Sequence, residues 1–143
     1  MRRLNEDDIH ERQPGTWNEI DGAELWHSAD GTTWEVIVGE DGARYPSGFG
    51  QANIGLVSLA AAGGRLFLGT TNMAGGQLWA SDDGVTWRCI VGPDAPMSGG
   101  FGSSETTSLF SLRAFNGSLC AGVRNGADGG AIWRLELEAF SER

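Results

Sequence analysis

The sequence predicts an all-β fold of β-propeller blades, each a sheet of four antiparallel strands, with about two and a half blades in the chain. Three observations predict it. The stretch Leu25–Gly39, LWHSADGTTWEVIVG, recurs as Leu78–Gly92, LWASDDGVTWRCIVG, with ten of fifteen positions identical at an offset of 53. The same offset relates Leu59 to Leu112, Leu66 to Leu119 and Gly69 to Gly122, and Trp79 returns as Trp133 at 54. Between these anchors lie short apolar runs separated by Gly, Asn and Asp, the pattern of strands and turns. A repeat of about 50 residues marks stacked or radially arranged units.

The complete unit runs from Ile54 to Gly92. IGLVSLAAA alternates, with Leu56 and Ser58 on one face and Val57 and Leu59 on the other, and is the first strand, A. Gly63-Gly64 turns the chain into RLFLGTTN, strand B. After the loop MAGG, QLWAS is strand C, and DDG turns it into VTWRCIV, strand D. The next unit keeps the order with TSLFSLRAF, SLCAGV and AIWRLEL. Its Asn116-Gly117 pair favours a two-residue type I′ hairpin, because both residues tolerate positive φ.

Organisation follows from the count of runs. Residues 1–15 form a polar N-terminal segment, with a short helix expected before Pro14, and 139–143 a tail. Residues 16–138 form the blade domain: a partial blade at 16–39, a full blade at 54–92 and a partial blade at 107–137. GTWNEI, Gly15 to Ile20, is expected to add a strand hairpinned onto AELWHS. Propellers close with about 4–8 blades. Completion of a ring by a homo-oligomer is therefore expected, one protomer's end abutting the next.

Bulk properties narrow the partners. The net charge of −9 disfavours nucleic acid and anionic membrane surfaces, which attract basic patches. No run approaches the ~18 apolar residues of a membrane helix. The N-terminal stretch has no apolar core of a secretory signal, so a cytoplasmic location is the default expectation. Cys89 and Cys120 fall in no Cys-x-x-Cys or Cys/His pattern, so no metal and no cofactor is expected, and two free thiols are. His10 and His27 are too few and too far apart for a triad.

The motif Ser-x-Asp-Gly-x-Thr-Trp, at Ser28 to Trp34 and Ser81 to Trp87, resembles the Asp-box or BNR repeat of sialidases, other glycoside hydrolases and many non-enzymatic propellers. It is one residue shorter between Asp and Trp than the commonest sialidase spelling. The resemblance covers roughly residues 22 to 137 and implies a propeller. Function does not follow from fold. Physical chemistry gives the box a structural task. Asp30 and Asp83 accept backbone N–H groups of their own turns, Ser28 and Ser81 bond across them, and Gly31 and Gly84 supply positive φ. Trp34 and Trp87 then anchor strand D.

Strand direction places the A–B and C–D turns on one face and the B–C loops and D–A crossovers on the other. Loops on a rigid scaffold are where binding residues collect. The candidates on that face are Arg44, Tyr45, Asn53, Asn72, Asp94, Glu105, Arg124, Asn125 and Asp128. Phe49 and Phe101, in the echoed crossovers SGFG and GGFG, are expected to plug the gaps between blades. The expected function is a non-enzymatic binding or scaffold module whose partner is a glycan or another protein. The alternative, implied by the resemblance, is a sialidase-like glycoside hydrolase. Its tyrosine would have to be Tyr45, with Arg44 and Glu40 nearby, and no catalytic set assembles around them in the sequence.

Overall fold

A computed structural model of the chain describes residues 15–18, 22–40 and 42–137. The expected N-terminal helix, His10 and the tail lie outside the described residues. The fold is all-β, with a curled main sheet. Strands β1 (Leu25–His27), β2 (Glu35–Gly39) and β3 (Tyr45–Pro46) form a small sheet, β3 running parallel to β2. Strands β4 (Gly55–Ala62), β5 (Arg65–Thr71), β6 (Leu78–Ser81) and β7 (Trp87–Val91) form a four-stranded antiparallel meander. Strands β8 (Thr106–Phe115), β9 (Ser118–Asn125) and β10 (Ala131–Glu136) form a three-stranded meander. A single bridge, Thr71 to Ser108, links the last two.

In place of the strand expected from GTWNEI, Gly15–Asn18 make only isolated antiparallel bridges, Gly15 to Leu25 and Trp17 to Gly55, and Glu19 and Ile20 lie outside the described residues. The segment exposes a repeat finer than the tryptophan motif. Gly15-Thr16-Trp17-Asn18 occupies the position of Gly69-Thr70-Thr71-Asn72 at the end of β5 and of Gly122-Val123-Arg124-Asn125 at the end of β9. Trp17 bridges Gly55 just as Thr71 bridges Ser108, so the end of each unit's second strand touches the first strand of the next. Backbone bonds repeat too: Asn18 N–H donates to Ile54 O (2.7 Å) and Asn72 N–H to Thr107 O (2.8 Å). The glycine is demanded by this crossing. A Cβ on Gly15 would collide with the Leu56 carbonyl, and one on Gly69 would lie 2.5 Å from the Leu109 carbonyl.

Two cores lie between successive units. Ala23, Leu25, Ile37, Val38 and Phe49 pack against Leu56, Leu68 and Trp87. Phe67, Leu78, Ala80 and Ile90 pack against Leu109, Leu119, Ala121, Val123 and Leu135. The meander β4–β7 is thus apolar on both faces. The expected alternation in β4 breaks at a register shift between Leu56 and Ser58. The shift lets Leu56 and Leu59 both join the first core, while Ser58 Oγ–H donates to Leu109 O (2.6 Å) across the second junction.

Each D–A crossover throws an aromatic ring forward. Phe49 stacks on Trp79 with centroids 4.0 Å apart, and Phe101 stacks on Trp133 at 4.5 Å. Both phenylalanines are left-handed, with φ of 60° and 55°. That conformation is disfavoured for any residue with a Cβ. Its recurrence shows that aiming the ring outweighs the strain. Asn116 and Gly117 have φ of 48° and 77°, the expected type I′ turn.

Candidate functional site

The repeated Ser-x-Asp-Gly turns join β1 to β2 and β6 to β7, and their polar groups are occupied within the turn. Asp30 Oδ1 accepts from Thr32 N–H (2.7 Å), Thr33 N–H (2.8 Å) and Ser28 Oγ–H (3.1 Å). Asp83 Oδ1 accepts from Val85 N–H (2.8 Å), Thr86 N–H (2.7 Å) and Ser81 Oγ–H (3.2 Å). Ser28 and Ser81 accept from Gly31 and Gly84 N–H, both at 2.7 Å. The backbone bonds from Thr33 and Thr32 hold the Asp30 carboxyl below the usual carboxylate range. The bond from Thr86 does most of the same for Asp83, against a smaller opposing effect of burial. Trp87 Nε1–H closes the second turn onto Gly84 O (3.2 Å), and Trp34 stands half-buried before β2. A general acid needs a raised pKa; these groups are shifted the other way.

The turn and crossover faces are distinct, as strand direction requires. On the turn face Arg65, beside the A–B turn, pairs with Asp82 in the C–D turn at 2.8 Å. On the opposite face, the loop after β5 and the two crossovers enclose a cleft of about 330 Å³ lined by Gln51, Asn72, Gln77, Asp94 and Ser98, among others. Its floor is a buried amide network. Asn53, fully buried, donates through Nδ2 to Gly48 O (3.0 Å) and Gln77 Oε1 (2.9 Å). Its Oδ1 accepts from Thr70 Oγ1–H (2.8 Å) and Asn72 Nδ2–H (3.1 Å). Gln77 Oε1 also accepts from Trp79 Nε1–H (3.0 Å). Two donors on Oε1 fix the carboxamide orientation and leave the Nε2 hydrogens for the cleft. Gln77 is only 2% exposed, so this is a positioned donor.

A second cleft, of about 520 Å³, opens where the inner strands meet. Trp17, Val57, Thr71, Ser108, Phe110, Arg124 and Asn125 line it. Trp17 lies over the bare Cα of Gly55, where a Cβ would meet its ring at 2.5 Å.

The candidates from sequence are divided among these places. Asn72 and Asp94 meet in the first cleft, Arg124 and Asn125 in the second. Asn53 lies beneath the first cleft with its side-chain bonds spent. The Tyr45 hydroxyl is clasped by β7, accepting from Trp87 N–H (2.9 Å) and donating to Trp87 O (3.2 Å). Asn125 Oδ1 accepts from Ala127 and Asp128 N–H and so shapes its own loop, which carries Asp128 at the surface. Arg44 and Glu105 are exposed and line neither cleft. Gln77 was not among the candidates. Its signal is the Glu24–Trp26 echo, since Trp26 Nε1–H donates to Glu24 Oε1 (3.0 Å) in the same way.

Among the described residues no three His, Cys, Asp or Glu side chains cluster as metal ligands. Cys89 and Cys120 are not joined by a disulfide. No helix among the described residues is long and apolar enough to cross a membrane. No family model, curated protein or solved structure matches this chain.

Proposed function

We propose that the chain is a non-enzymatic module of propeller-type blades that binds a neutral, hydroxyl-rich ligand, a glycan, in the crossover-face cleft. The observation that carries the reading is the Gln77 carboxamide. It lines the cleft, is almost wholly buried, and is oriented by two donors on its oxygen, which leaves Nε2–H as the side chain's donor for a ligand. The Asp94 carboxylate, Ser98 and Gln51 supply acceptors and further donors. Among the described residues no cation lines the cleft, which favours neutral over anionic ligands. The resemblance to Asp-box repeats and the four-stranded antiparallel order of β4–β7, echoed in part by β8–β10, support the propeller class. The occupied Asp30 and Asp83 turns and the clasped Tyr45 support binding over hydrolysis.

The test is a glycan array with neutral and acidic sugars, probed with the wild type and with Ala74→Trp. Ala74 is exposed and lines the cleft, so the indole fills it without touching either core. Neutral glycans bind the wild type and are lost in the variant. Silence on the array, capture of acidic glycans alone, or undiminished binding by A74W refutes the reading. Turnover of a chromogenic glycoside refutes its non-enzymatic half.

A further inference from the structure

The outward face of β8–β10 holds the positions of a face that is closed elsewhere in the same chain, with Arg113 and Arg134 where β4 and β6 have Ala60 and Ala80. On β4–β7, Ala62, Phe67 and Leu78 are 7%, 0% and 0% exposed, because the next unit covers them. Their counterparts on β8–β10 are Phe115, Cys120 and Ile132. Phe115 is 63% exposed and Ile132 79%. The register confirms the shared face, with Ile132 opposite Gly122 and Arg134 opposite Cys120.

The glycine of the repeat gives an independent sign. Gly15 and Gly69 have no room for a Cβ because the next unit's first strand crosses them at Leu56 and Leu109. Gly122 holds the same place, yet a Cβ there would meet only side chains of its own sheet, Ser111 and Phe110. Elsewhere in the chain it is a crossing strand that excludes a Cβ at this position.

We infer that this face receives the first unit of a second copy of the chain, head to tail. What covers such a face inside the molecule is the opposite face of the following unit, with Trp79 and Trp87 at its centre. The first unit presents the matching residues Trp26 and Trp34, with Val36 paired to Trp26 on the same side. Charge agrees. Residues 22–40 carry Glu24, Asp30, Glu35 and Glu40 and no Lys or Arg, while residues 106–137 carry Arg113, Arg124 and Arg134 against Asp128 and Glu136. A head-to-tail contact of this kind closes into a ring or propagates. The crossover-face cleft lies within one copy, so its ligand and this contact stand or fall separately.

Light scattering across a concentration series tests it. The wild type self-associates. Gly122→Ala, whose Cβ would lie 3.2 Å from the Ser111 hydroxyl, and Ile132→Glu, at an exposed position, keep a melting temperature close to that of the wild type and become monomers. Val36→Lys on the opposite face does the same, with exposed Thr32→Lys as a version that leaves both cores untouched. Mixing I132E with V36K or T32K restores a dimer, because each variant keeps the face the other has lost. A monomeric wild type overturns the inference, as does association undisturbed by G122A and I132E, or by both V36K and T32K. A mixture that stays monomeric also overturns it, since head-to-tail pairing requires the intact face of each variant to meet the other.

Discussion

Replacing Phe49 by glycine should harm the protein less than replacing it by alanine. At an ordinary strand or helix position the order is the reverse, with glycine worse by about 0.5–1 kcal/mol. Phe49 is 6% exposed and stacked on Trp79, so losing the ring costs about 3–5 kcal/mol in either variant. The backbone decides the difference. At φ 60° and ψ 26° a Cβ costs about 1–2 kcal/mol, which alanine keeps and glycine escapes. Glycine gives back about 0.4–1 kcal/mol through the entropy of the unfolded chain. The net preference for F49G is about 1 kcal/mol. With a urea m value of about 2 kcal/mol per molar, the F49G midpoint lies roughly 0.5 M above that of F49A. Phe101, at φ 55° but only half-buried, should show the same order with a smaller loss in both variants. An F49A midpoint equal to or above that of F49G refutes the claim that strain is tolerated there to aim the ring.

Two further outcomes follow from the ionisable groups. Asp30 and Asp83 have folded pKa values below their unfolded ones, so their contribution to stability is complete above about pH 4 and is lost as pH falls through the folded values. Urea unfolding between neutral and strongly acid pH should show that fall, and Asp83→Asn, which keeps the acceptor and removes the titration, should flatten part of it. Burial pushes the Cys89 thiol up to about 11, so at pH 8 the native protein should leave Cys89 unlabelled by a thiol reagent. Mass mapping after brief labelling reads this, and modification at the rate of the unfolded chain would contradict it.

Local rules carried much of the fold. The strand runs of the middle unit, the Asn116-Gly117 hairpin, the bonds inside the Asp30 and Asp83 turns and the intercalated Phe49 and Phe101 were all legible, because each depends on residues close in sequence or on an obvious repeat. The candidate site was less so. Asn53 and Asn72 look like loop-surface residues in a Gly-rich context, yet both are buried, since four polar side chains and Gly48 O satisfy one another beneath the cleft. Whether a polar group is exposed depends on such closure among distant residues, which no local pattern encodes. Gln77 is hidden for the complementary reason: a glutamine beside the motif residue Trp79 reads as an exposed strand end, and only the bonds from Asn53 and Trp79 show it to be buried and oriented. The shift in β4 was hidden because Ser58 is needed by Leu109, 51 positions away.

The double-sided burial of β4–β7 has a consequence for how the molecule comes apart. Either outer unit can peel away by dissolving one core, whereas the central meander can open only if both dissolve. Amide protons of β5 and β6 should therefore exchange last, at the cost of whole-chain opening, while those of β1, β2 and β10 escape through cheaper partial openings. The chain behaves as a short series of coupled links, in which the middle link sets the lifetime of the native state and the outer ones set its everyday breathing.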